Sequence, residues 1–284
     1  MRRVPIEVIP RMPEPVRKVA RGTVWAAGRL TARWRDLPDF LVIGAQKAGT
    51  TALYAYLRWH PSIGGPFWKE VSFFDRHWAR GEAWYRGQFP LRRDGLLVGE
   101  ASPSYVFHPL APQRVYSVVP DTKLIVLLRE PGDRAYSQYQ HEVALGRERL
   151  SFEEALAAED ERLRGEVERL SADPRAFSRE WWDHTYAARG LYAEQLERWL
   201  EFFPRDQVFV HTTEEFGARP EETYASVLAF LGAPPHSLRQ YPRVFDRDYP
   251  PMHEETRRAL TARFAEPNRR LERLLGRPLP WPAE

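Results

Sequence analysis

The stretch GAQKAGTT, residues 44–51, sets a lysine and two threonines between two glycines and the start of a helical pattern, just after the apolar run DFLVI. A strand feeding a glycine-bracketed turn and then a helix aims backbone N–H groups at an anion. Residue order narrows which anion. A nucleotide loop of the form G-x-x-x-x-G-K-[ST] carries its lysine after the second glycine and sets a hydroxyl on Mg²⁺. Here Lys47 stands inside the loop, three positions after Gly44. Its ammonium is therefore expected beside the cradled group, where charge builds on a departing phosphate oxygen.

A second feature points the same way. Many ATP-hydrolysing proteins end a neighbouring strand in an aspartate that supports Mg²⁺. The run KLIVLL (123–128) instead ends in Arg129, with Glu130 and Pro131 following. A cation at that strand tip suits a second phosphate. Ser137 lies eight residues on, about two helical turns, and is expected to reach the same side. The ligand implied is a nucleotide with phosphates at two ends and no obligatory metal.

These residues need elements to hold them. Short apolar runs at 39–44, 96–100, 123–130 and 206–212 read as strands. Helical patterns fall at 49–59, about 79–88, 109–118, 132–145, 190–203 and about 253–275, and LGAPP (231–235) closes another helix. Buried-type strands alternating with helices imply right-handed crossovers. The expected fold is α/β, a P-loop-type three-layer arrangement with a central parallel sheet flanked by helices, and its ligands bind at the carboxyl ends of the strands. Residues 146–180 are strongly charged and fit no strand; they read as a solvated helical excursion or a functional lid.

Composition sets the limits. The 284 residues are 43% hydrophobic and 29% charged, which predicts a folded chain with one sizeable core. Domain expectations are a basic N-terminal arm and helix over 1–36 and a single domain over 37–284. Residues 1–36 carry nine Lys/Arg and three Asp/Glu, so the formal charge of +3 conceals a remainder of −3. No nucleic-acid-binding core follows from that balance. Residues 16–34 space apolar and basic side chains at helical intervals. That segment either contacts an anionic membrane surface peripherally or packs as an ordinary surface helix. With no cysteine, disulfide frameworks, thiolate metal sites and cysteine nucleophiles are excluded, which fits a cytoplasmic location.

The ordered set GAQKAGTT, KEVSFFD (69–75), GEASPSYVF (99–107), LIVLLREPGDRAYSQYQHEV (124–143), RGLYAEQLERWLEFFP (189–204) and RDYPPM (247–252) resembles the sulfotransferases that use 3′-phosphoadenosine 5′-phosphosulfate (PAPS). It is most similar to the branch holding the heparan sulfate N- and 3-O-sulfotransferases and their bacterial relatives. The resemblance implies that Gln46, Lys47, Ala48, Gly49, Thr50 and Thr51 bind the 5′-phosphosulfate. Lys47 would stabilise the leaving group, and the product would be the 3′,5′-bisphosphate, PAP. It implies that Arg129 and Ser137 bind the 3′-phosphate, with Tyr192 and Arg247 near the nucleotide, and that no metal is required.

Sulfuryl transfer to a hydroxyl needs a base for the acceptor proton. The resemblance gives that role to Glu70, whose apolar neighbours Phe67, Trp68, Phe73 and Phe74 are expected to enclose the carboxylate and make it more basic. A surface charge pair with Lys69 is the plainer alternative. His141 is the competing base, with an accessory role expected. The acceptor, a small molecule or carbohydrate, is expected between residues 68–86 and 176–192, where Trp78, Trp84, Trp181, Trp182, Arg76 and Arg80 serve either as platform or as core. Ala101 follows Glu100 where the heparan enzymes have lysine, which argues against a heparan-like acceptor, and a bacterial-type enzyme is expected. A P-loop kinase for a small metabolite and a non-catalytic anion-binding module are the alternatives from other classes.

Overall fold

The computed structural model describes residues 28–173, 175–242 and 249–282. In chain order the elements are β1 (Phe40–Gly44), α1 (Thr50–Arg58), β2 (Ile63–Gly64), α2 (Glu82–Arg86), β3 (Leu97–Ala101), α3 (Ala111–Val118), β4 (Lys123–Leu128) and α4 (Pro131–Ala144). They continue with α5 (Phe152–Leu163), α6 (Glu166–Ala172), α7 (Arg179–Asp183), α8 (Tyr192–Leu200), β5 (Val208–Thr212), α9 (Thr213–Ala218), α10 (Pro220–Leu231) and α11 (Glu254–Leu275).

All four strand runs expected from the sequence are strands. They pair in parallel with β2 in the order β2-β3-β1-β4-β5. Every residue of β1 and all but the first of β4 are buried, as a sheet covered on both faces requires. The two residues of β2 are too few to show a period. Pairing Leu41 with Glu100 and Val42 with Ile125 brings the carboxyl ends of β1, β3 and β4 to one edge.

Start signals explain where the helices around that edge begin. Glu130 caps α4, accepting the N–H groups of Gly132 (3.0 Å) and Asp133 (2.5 Å), with Pro131 in the first turn. Ser151 and Glu154 form a reciprocal capping box on α5, as do Thr212 and Glu215 on α9.

The charged excursion is helical but not simply solvated. Phe152 and Ala155 of α5 join Ala135, Tyr186, Ala187, Met252, Leu260 and Phe264 in a second apolar cluster that ties α5 to α4 and α11. Truncating Phe152 to alanine should cost about 3–5 kcal/mol. Glu159 is buried beneath this layer, where it accepts the N–H groups of Ala187 (2.7 Å) and Ala188 (2.9 Å). The excursion thus holds the turn before α8. Gly190 in that turn sits so close to Pro131 and Phe264 that a Cβ would lie 2.7 Å and 2.9 Å from their side chains. The start of α4 and the RGLY turn are therefore packed backbone to side chain.

Residues 16–27 lie outside the described residues, and with them most of the basic amphipathic segment. Its described end packs on the domain: Ala32 is buried, Trp34 O accepts from Arg92 N at 2.8 Å, and Arg92 Nε meets Asp36 at 2.7 Å. Among the described residues no helix is long and apolar enough to cross a membrane.

Candidate active site

The loop after β1 turns through two left-handed residues, Lys47 (φ 70°) and Gly49 (φ 83°), and Gly49 is the N-cap of α1. Glycine takes that conformation without cost, whereas lysine does not. The strained position falls on the residue singled out for its charge. Hydrogen bonds from neighbouring segments hold the loop, among them Ala45 N to Leu127 O (2.6 Å), Arg129 Nη1 to Lys47 O (3.3 Å) and Thr213 Oγ1 to Ala48 O (2.9 Å). The Thr213 hydroxyl also lies 2.9 Å from Leu128 O. Neighbouring strand ends thus brace the loop. The Gln46 side-chain oxygen is buried in it without a hydrogen-bond partner.

Arg129 stands half-buried at the tip of β4, with Ser137 half-buried further along α4. The buried Tyr192 hydroxyl donates to Arg129 O at 2.8 Å, and burial pushes that phenol's pKa up. Lys47, Arg129 and Tyr192 are thus gathered around two adjacent strand ends, with Ser137 on the helix that follows. Arg247 lies outside the described residues.

His141 is in the last turn of α4, next to buried Glu142. Burial and then Asp183 push the Glu142 carboxyl up, against the charges of Arg147 and Lys47. The Lys47 charge therefore acts on the turn of α4 that carries His141.

Glu70 is placed differently from expectation. Phe73 and Phe74 turn into the core, Phe73 stacking on Tyr85 with ring centroids 4.4 Å apart, and Phe67 is 56% exposed. The apolar enclosure is absent because the chain from Val71 to Asp75 is buried throughout and takes both phenylalanines into the core, away from Glu70. Glu70 is 41% exposed instead, with its Oε1 3.5 Å from Lys69 Nζ, and Lys69 Nζ donates to Thr51 Oγ1 at 2.8 Å. The charge pair is real, but one end of it reaches the anion loop.

Beneath this segment runs a buried network that sequence reasoning missed. Glu100, near the end of β3, accepts hydroxyls from Tyr85 (2.7 Å), Ser102 (2.8 Å) and Tyr105 (3.0 Å). Ser102 Oγ in turn accepts from Ser72 N (3.0 Å), and the Tyr105 hydroxyl from Phe73 N (2.7 Å). The backbone just after Glu70 therefore hangs from a buried carboxyl through two relaying hydroxyls. Burial pushes Glu100 up to about 7, although the three hydroxyls oppose it. Asp75 is pushed up to about 6 by burial, with the Ser104 hydroxyl at 2.5 Å opposing and the Glu70 charge adding to the rise. The hydroxyls of GEASPSY were the available signal, since a buried acid needs donors.

The remaining candidates divide. Trp84 and Trp181 are core, whereas Trp78 and Trp182 are half-buried. Arg76 lies over the exposed ring of Phe177 at 4.6 Å, and Phe177 stacks near Trp182, so the two expected acceptor segments do meet. Arg189 is buried over Phe107 at 4.8 Å and pushed down to about 9, chiefly by desolvation. His108 is held down at about 3 by burial and by Arg114, Arg189 and Arg198, so it is neutral. His60 shapes its turn by accepting from Ser62 N at 3.0 Å. Among the described residues no group of three or more His, Cys, Asp or Glu could hold a metal ion.

A family model described as Sulfotransferase domain matches residues 37–245. The Homo sapiens protein named Bifunctional heparan sulfate N-deacetylase/N-sulfotransferase 3 is 34% identical over an alignment covering 90% of this chain and 32% of its own length. The Mus musculus protein named Heparan sulfate glucosamine 3-O-sulfotransferase 6 is 37% identical across 70% of this chain and 53% of its own. The chain thus spans about a third to a half of these curated relatives. The crystal structure of a sulfotransferase from Alicyclobacillus acidocaldarius is similar with a TM-score of 0.69 and 37% identity, covering 86% of this chain and 98% of that one.

Proposed function

The chain belongs to the sulfotransferase family, and on that premise we propose that it moves a sulfuryl group from PAPS to a hydroxyl or amine of a carbohydrate, a glycolipid or a small natural product. One observation carries the reading. The hydrogen bond from Arg129 to Lys47 O joins two cationic residues, at the ends of β1 and β4, into one cradle for a ligand with phosphates at both ends.

In this reading residues 46–51 hold the 5′-phosphosulfate. Arg129 and Ser137 hold the 3′-phosphate, with Arg129 suited by its planar fork. Tyr192 braces Arg129 through its backbone carbonyl, and Arg247 is kept as a further nucleotide contact on sequence grounds alone. The bound donor supplies an activated sulfur whose bond to the 5′-phosphate oxygen breaks as the acceptor's oxygen or nitrogen bonds to it. Lys47 offsets the charge left on that phosphate oxygen. Glu70 takes the acceptor proton and PAP departs. Charge on the leaving oxygen is met by Lys47, so the reading requires no metal.

His141 has an accessory role, supported by the Lys47 charge acting on its turn of helix. Phe177, Arg76 and Trp182 form the acceptor rim, suited to a ring face beside a polar group. A bacterial-type, cytoplasmic enzyme completes the reading on the sequence argument, with residues 16–34 either packing as a surface helix or contacting a membrane peripherally.

The experiment is calorimetric titration with PAP and, separately, ATP, each with and without Mg²⁺. Tight metal-independent binding of PAP, lost in Arg129→Ala and weakened in Lys47→Ala, supports the donor. Preference for ATP with Mg²⁺ overturns it in favour of a kinase. Transfer of labelled sulfate from PAPS to a panel of glycans, glycolipids and phenols then identifies the acceptor.

A further inference from the structure

In the sequence Lys69 figures only in the plainer alternative, a surface charge pair with Glu70. Its ammonium does more: it donates to Thr51 Oγ1 at 2.8 Å and lies 3.5 Å from Glu70 Oε1. Its side chain is 18% exposed, and burial lowers its pKa against the opposing Glu70 charge. Most surface lysine–glutamate pairs contribute little, because both side chains remain free in water. This one is anchored at a third point, on the second residue of α1.

The third contact has a directional consequence. An ammonium carries only protons to give, whereas a hydroxyl has one proton and two lone pairs. With a lone pair of Thr51 Oγ occupied by Lys69, the hydroxyl proton is directed away from the ammonium. Thr51 lies in the first turn of α1, two residues after Gly49, which ends the loop and caps the helix. An anion in that loop would meet a hydroxyl already turned to donate. The same ammonium lies 3.5 Å from the carboxylate of Glu70.

We propose that Lys69 is a positioning residue that presents the Thr51 hydroxyl to the bound anion and holds Glu70 with the same ammonium, coupling donor binding to placement of the base. This rests on the donor reading above and adds a residue that acts through two others. Because one ammonium serves both partners, weakening its hold on one strengthens its hold on the other.

The test needs no acceptor. PAP is titrated calorimetrically into the full chain as wild type, Thr51→Val, Lys69→Met, Glu70→Gln, Thr51→Val/Lys69→Met and Glu70→Gln/Lys69→Met. Thr51→Val and Lys69→Met should each weaken binding about tenfold, and the double variant also about tenfold, not the roughly hundredfold of independent contacts. Lys69→Arg should recover most of the loss. Glu70→Gln should tighten binding several-fold, and that gain should vanish when residue 69 is changed. If Lys69→Met does not fold, Lys69→Gln takes its place in both cycles.

Additive losses at Thr51 and Lys69 would show that Lys69 does not act through Thr51. A Glu70→Gln gain that persists without Lys69 would show simple charge relief. Either result overturns the coupling while leaving the donor reading intact. A wild-type chain that binds no PAP overturns both.

Discussion

Arg129 donates to the backbone carbonyl of Lys47 at 3.3 Å, so the tip of β4 and the loop after β1 share a hydrogen bond although 82 residues separate them in the chain. Arg129→Ala should therefore cost PAP about a hundredfold in affinity while costing 5′-AMP, which has no 3′-phosphate, much less. Arg129→Lys should fall between, keeping the charge and losing the fork. Paired titrations with the two nucleotides check this; equal losses for both would place Arg129 away from the 3′-phosphate.

Lys47→Ala should lower turnover roughly 10²- to 10³-fold, with a smaller effect on PAP affinity, because its charge matters most when the phosphate oxygen departs. Rates of labelled sulfate transfer, set beside the binding data, separate the two. A loss confined to affinity would assign Lys47 to ground-state binding.

Glu70→Gln should abolish transfer while PAP still binds, and His141→Ala should slow transfer by about tenfold or less. Single-turnover kinetics with saturating donor measure both. The reverse ranking would move the base to His141.

The network under Glu70 makes a prediction about pH. Glu100 and Asp75 are pushed up to about 7 and about 6. Between the ordinary carboxyl range and those values, the folded state holds protons that the unfolded chain has released. Stability from these groups is therefore present at lower pH and is lost as pH rises through that window. Urea midpoints should be lower at about pH 8 than at about pH 5, and Glu100→Gln should flatten much of that slope. The variant should also lose about 1–3 kcal/mol overall, since an amide cannot accept all three hydroxyls. An unchanged slope would exclude Glu100 as the titrating group.

Glu159 offers a structural test of the excursion. Glu159→Ala leaves the N–H groups of Ala187 and Ala188 without their acceptor, at a cost of about 1–3 kcal/mol. Hydrogen exchange at residues 187–190 should accelerate well before global unfolding, and PAP affinity should fall because the turn leads into Tyr192. Unchanged exchange there would make α5 a passenger.

Much of this was legible beforehand for a physical reason. Buried parallel strands such as IVLL and LVI are apolar throughout, and helices with caps such as Glu130-Pro131 announce their starts. The anion loop was visible because Gly44, Lys47, Gly49 and Thr50 lie within one turn of chain. What was not visible depends on long-range placement. Nothing in AAEDERL (157–163) marks Glu159 as a buried cap and its neighbours as a solvated face until α5 docks on α4. Glu100 reads as a strand end until Tyr85 and Tyr105 arrive from different segments. The enclosure expected for Glu70 failed because proximity in sequence to Phe73 and Phe74 says nothing about which way the chain turns.

The Thr213 hydroxyl lies within 2.9 Å of both Ala48 O and Leu128 O, one from the anion loop and one from β4. Its single proton is shared across the gap like a rivet, so the loop and strand tip should not drift apart independently. If the two phosphates of the donor seat on these two parts, the protein works as a caliper, reading the separation of the ligand's charged ends before any contact with its base.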